Sequence, residues 1–163
     1  MSLKDDVIRW LKDEDLEVDE MPVPQGAPVE WILNAVVKAP MRVILGVQKP
    51  KAKFDRLVMS MVVKIAEQHK AALNSLEQRE RLKLMTRLLG TVTSLCPTCV
   101  IVFQPQLDNP DTIVVSKVLY DDEFQPSVIG NSVRLLVNEY AAIVSFFNSE
   151  VGLPKGSQES LHM

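Results

Sequence analysis

The chain has 163 residues, 47% of them hydrophobic and 24% charged, with a formal net charge of −3. This is the composition of a folded globular domain, and it excludes a disordered, collagen-like or disulfide-scaffold chain. The small net charge hides an asymmetry. Residues 1–20 hold eight acids and three bases, residues 38–87 hold twelve bases and four acids, and residues 88–163 return to eight acids and three bases. Such blocks are expected to neutralise one another on folding. No apolar run approaches the roughly 18 residues of a membrane span, and the charged opening Lys4-Asp5-Asp6 lacks a signal-peptide core, so the expected compartment is the cytoplasm, without a membrane partner. Two cysteines without an export signal agree with a reducing environment.

Residues 3–12 are expected to form a helix, because Leu3, Val7, Trp10 and Leu11 share a face and Ser2 with Asp5 makes a capping pattern. The acidic stretch Asp13 to Glu20 is read as its end, and the proline-rich stretch Met21 to Pro28 as a loop. The period then becomes two. Val29, Trp31, Leu33, Ala35 and Val37 line one face of a strand over 29–38. Met41, Val43, Leu45 and Val47 line a second strand, and Leu57, Met59, Met61, Val63 and Ile65 a third over 54–65. Ala66 to Leu95, free of proline, is expected to be one long helix that Pro97 stops. Cys99 to Gln104 is nearly all apolar and is expected at a sheet centre. Thr112 to Tyr120 makes a fifth strand, and a helix from about Ser127 to Asn148 closes the fold. The expected class is α+β: one domain over 1–152 with an antiparallel five-stranded sheet and helices packed on it, in the order α-β-β-β-α-β-β-α. Residues 153–163 are expected to be a flexible tail.

This order resembles the class I type III secretion chaperones and the related YbjN-like proteins. The resemblance covers about residues 3–150. It includes the tryptophan-bearing strand Glu30-Trp31-Ile32-Leu33, the helix start Ala66-Glu67-Gln68-His69 and the step Tyr120-Asp121-Asp122. It implies a homodimer without enzymatic activity that binds extended protein segments.

The residues themselves carry little chemistry. No GxSxG, P-loop, GxGxxG or HExxH pattern is present, so no catalytic or cofactor residue is assigned. Cys96-Pro97-Thr98-Cys99 is the one motif with chemical meaning. At a helix C-terminus the dipole disfavours a thiolate, so Cys96 and Cys99 are read first as small buried apolar residues. A disulfide, or half of a zinc site shared between two copies, are the alternatives. The only histidines, His69 and His162, lie far from the pair in sequence. Lys49, Lys51, Lys53 and Arg56, with Arg79, Arg81, Lys83 and Arg87, suggest a nucleic-acid or anionic-ligand site. Their single interleaved aromatic, Phe54, favours a solvated surface instead, without specific nucleic-acid binding. Met59, Met61 and Met85 fit either a core or an adaptable peptide groove. The leading expectation is a non-enzymatic interaction domain, a homodimer with a protein or peptide partner. The strand stretch Trp31 to Val37 and the last helix are apolar on more than one side. Trp31, Ile32, Val36, Leu135, Ile143, Phe146 and Phe147 are therefore the candidate partner-binding or dimer surface.

Overall fold

The structure is a computed structural model and describes residues 2–152. The expected tail at 153–163, with His162, lies outside the described residues. In chain order the elements are α1 (Leu3–Asp13), β1 (Glu17–Met21), β2 (Val29–Val37), β3 (Val43–Pro50), β4 (Arg56–Lys64), α2 (Glu67–Asn74), α3 (Gln78–Leu95), β5 (Val100–Gln104), β6 (Thr112–Tyr120) and α4 (Pro126–Phe146). A 3₁₀ turn at Asp121–Glu123 precedes α4, and a π-turn at Phe147–Val151 extends it. The strands form one six-stranded sheet in the order β1-β2-β3-β4-β6-β5. Pairs β1–β2, β2–β3 and β3–β4 are antiparallel.

The class is α+β as expected, with three corrections. The sheet has six strands, because the acidic segment 17–21 pairs with β2 from Glu17↔Val36 to Met21↔Ile32. A backbone ladder needs no apolar side chains, so an edge strand of charged residues carries no periodic signal. The expected long helix is two helices. It breaks at Ser75–Glu77, where the Ser75 hydroxyl donates to the Ala72 carbonyl (2.6 Å) and the Arg81 guanidinium donates to the Leu76 carbonyl (2.6 Å). Serine competes with the helical backbone in this way, and the break needs no proline. Finally, the apolar strand β5 stands at the sheet edge and not at its centre.

The described residues fall into two compact units, 2–61 with 116–137 and 62–115 with 138–152. In the first, α1 starts at an N-cap where Ser2 Oγ accepts from the Asp5 N–H (3.2 Å), with Asp5 and Asp6 complementing the helix dipole. It ends in a Schellman arrangement. Asp15 takes φ 64°, its N–H donates to Lys12 O (3.0 Å), and the Leu16 N–H donates to Leu11 O (3.2 Å). Leu16 is buried, and this turn delivers the chain into β1. Alternate residues of β2, β3 and β4 are buried: Trp31, Leu33 and Ala35, then Val43, Leu45 and Val47, then Leu57, Met59 and Met61. The other elements of the unit present matching buried stripes, Val7 and Leu11 on α1 and Ile129, Val133 and Leu136 on α4. In the second unit Ala72, Leu73, Met85, Leu88 and Val92 supply buried positions of α2 and α3, and α3 packs beside β5.

Candidate interaction surface

In the first unit the alternation that buries one side of the sheet leaves the other side open. The register arranges this open side in three rows. Met21, Ile32, Gln48 and Val58 form one; Asp19, Asn34, Gly46 and Ser60 the next; Glu17, Val36 and Ile44 the third. Ile32, Val36 and Val58 are half-buried, and Ile44 is 47% exposed. The middle row is polar and low. Gly46 contributes no side chain, and a Cβ there would meet only Ser60, its Oγ at 3.6 Å and its carbonyl oxygen at 3.9 Å. Two apolar rows therefore flank a shallow polar furrow. The β1 end of the surface is acidic, with Glu17 paired to Lys38 (2.9 Å).

The candidate surface residues separate on folding. Ile32 and Val36 lie on the open face. Trp31 is 8% exposed and sits on the opposite, buried side, because strand parity groups it with Leu33 and Ala35. Ile143 and Phe147 are also buried, while Leu135 and Phe146 are half-buried. Phe146 lies under the Arg87 guanidinium, 5.6 Å from its ring centre. Phe147 packs against the His69 ring at 5.6 Å. Phe146 and Phe147 thus pack on residues of α3 and α2 within the second unit.

Chemistry-bearing residues are placed as follows. Cys96 and Cys99 are joined by a disulfide with Cα atoms 5.3 Å apart, where two free apolar thiols were expected first. Cys96 caps the C-terminus of α3, and the three-residue spacing turns the chain back so that the two sulfurs meet. Among the described residues no group of three or more His, Cys, Asp or Glu could hold a metal ion. His69 belongs to a different feature, a cavity of about 240 Å³ lined by Val63, Ile65, Ile143 and Phe147 among others. Its Nδ1 donates to the Gly152 carbonyl (3.0 Å), and its Nε2 lies 3.2 Å from the Asn148 side-chain oxygen, which ties α2 to the end of the π-turn. Met59, Met61 and Met85 are core residues.

The basic residues do not converge. Lys49 is held between Glu30 (2.9 Å) and Asp55 (3.1 Å), and the hydrogen bond it donates to Glu30 foremost raises its pKa. Lys51, Lys53 and Arg56 are exposed. On α3, Arg81 reaches Asp108 at 3.7 Å and Arg87 pairs with Glu150 at 3.0 Å. Arg79 and Lys83 have no carboxylate within 4 Å among the described residues, and they flank exposed Leu82 on one helix face.

One titratable group was missed from the sequence. Glu139 of α4 is 0% exposed, and neither carboxylate oxygen has a hydrogen-bond partner. Burial alone pushes its pKa up to about 7. The available signal was an acid three residues after Leu136 and four before Ile143, inside the buried stripe of the helix.

No helix of the described residues is long and apolar enough to cross a membrane. The fold is similar to the crystal structure of an uncharacterized protein from Methanothermobacter thermautotrophicus. The TM-score is 0.79 at 14% identity, over 93% of this chain and all of that one. No curated protein matches the chain. Residues 3–147 match the family described as uncharacterized conserved protein (DUF2299), and the chain belongs to that family.

Proposed function

We propose that this chain is a non-enzymatic protein-interaction module, a homodimer that holds an apolar segment of a partner protein on its open sheet face. The observation that carries this reading is the pair of apolar rows around the furrow Asn34, Gly46 and Ser60, with Ile44 47% exposed. Monomeric soluble proteins seldom leave such surface uncovered. The furrow leaves room for a partner side chain between flanking residues that exclude water. Resemblance of the α+β order to chaperones of secreted proteins supports the same reading, with the partner's identity set by its own sequence.

Ile44→Asp combined with Val36→Asp tests it. Both changes place charge on the open face without touching the buried one. Wild-type protein is expected to slow the aggregation of a heat-unfolded model protein, followed by light scattering. The double variant is expected to lose most of that protection while keeping the wild-type circular dichroism spectrum. Equal protection by both proteins, or none by wild type, overturns the reading.

A further inference from the structure

The two edges of the sheet are built differently. At one edge β1 carries Glu17, Asp19 and Glu20, all exposed, and acids on an edge repel the approach of another strand. At the other edge β5 reads Val100-Ile101-Val102-Phe103-Gln104, with neither charge nor proline. Val100 is 56% exposed and Val102 41%, and no residue of the strand is fully buried. The flanking sequence is also uncharged. From Leu88 to Leu107, twenty residues, the chain has no Asp, Glu, Lys or Arg, although 24% of all residues are charged. This stretch supplies the second half of α3, the disulfide turn and β5. Leu95, at the end of α3, is 45% exposed. Depletion of charge over an exposed surface is the mark of an interface centre rather than of solvent-facing protein.

We infer that β5 is the seam of a homodimer, in which β5 of a second copy pairs antiparallel with it about a two-fold axis at Val102. This inference rests on the reading of the chain as a homodimeric interaction module and names the surface that makes the pair. The strand is complementary to itself in that register. Val102 meets Val102, Ile101 meets Phe103, and Val100 meets Gln104. The pairs on one side are β-branched with aromatic, a favourable cross-strand combination, and no like charges oppose. The same operation on β1 about Asp19 would set carboxylate against carboxylate. A two-fold pair of edges also satisfies the outward backbone groups of both β5 strands at once and leaves only the acid-guarded β1 edges free, so the assembly closes at two copies.

Light scattering at micromolar concentration reads the mass. Wild type is expected near twice 18.3 kDa, and Val102→Lys near 18.3 kDa with an unchanged circular dichroism spectrum. Because a lysine could disturb folding, Val102→Cys gives a second reading. Paired strands bring opposite Cα atoms within about 5.5 Å, so this thiol is expected to cross-link two copies on mild oxidation, and a control thiol at exposed Val62 is not. A wild-type mass near 18.3 kDa, a folded Val102→Lys dimer, or equal cross-linking at both positions overturns the seam. Ile44→Asp with Val36→Asp separates it from the partner-binding face. That variant is expected to remain a dimer, and a monomeric wild type that still protects the unfolded protein removes the seam while leaving the face intact.

Discussion

Replacing Glu139 with Gln is expected to remove a loss of stability that the wild-type protein suffers as pH rises from about 4.5 to above 7. The buried carboxyl, without a hydrogen-bond partner, keeps its proton up to about 7 in the folded chain, against 4.5 for the ordinary group. Between those values the folded chain holds a proton that the unfolded chain has released. Stability is therefore full below pH 4.5 and falls as pH climbs through the folded pKa. A difference of about 2.5 pKa units corresponds to about 3 kcal/mol. Gln has the same shape and no charge, so its variant should be flat over this range and more stable than wild type at pH 8. The gain is reduced by whatever the unpaired amide itself costs, about 1–3 kcal/mol for an unsatisfied buried group. Glu139→Leu, which removes the polar atoms altogether, should be more stable than Gln at every pH. The two other groups with raised pKa, Lys49 and Lys70, start from 10.5 and titrate far above this window. Urea unfolding at half-unit pH steps measures the effect, and a wild-type curve as flat as that of Glu139→Gln would remove this account of the buried carboxyl.

Trp31→Ala is expected to cost about 3–5 kcal/mol, the range for removing a buried aromatic side chain, whereas Ile32→Ala beside it should cost about 1 kcal/mol or less. The contrast follows from strand parity. Trp31 stands among Leu33, Ala35, Leu45 and Val47, all buried, so its removal opens a cavity in a packed layer. Ile32 faces outward in the row of Met21 and Gln48, half-buried, and its truncation exposes little that was covered. Urea midpoints of the two variants give the comparison directly. The functional expectation runs the other way. At a temperature where both variants are folded, Ile32→Ala should weaken protection of an unfolded protein and Trp31→Ala should not. Equal destabilisation by the two changes would mean that the open face is covered within the chain itself.

Local pattern determined the strands that alternate. The inward sets of β2, β3 and β4 follow from period two, because a half-buried strand must sort its side chains to opposite sides. The bounds of β6, Thr112–Tyr120, agree with the expected strand, and the helices expected over 3–12 and from about Ser127 to Asn148 were legible from the helical spacing of their apolar residues. The open face was implied as soon as Ile32 and Val36 stood opposite Leu33 and Ala35. The tertiary structure decided the rest. β1 exists because β2 offers it a backbone ladder, and Glu17-Val18-Asp19-Glu20-Met21 has no side-chain pattern to announce that. The apolar run of β5 suits a central strand or an unguarded edge equally well, and sheet order comes from pairings between distant segments that no local period encodes. Glu139 looks like any helical acid until the packing of α4 removes its water. Periodicity tells which side of an element turns inward; only the assembled packing tells what waits there, and whether a surface left outside has anything to cover it.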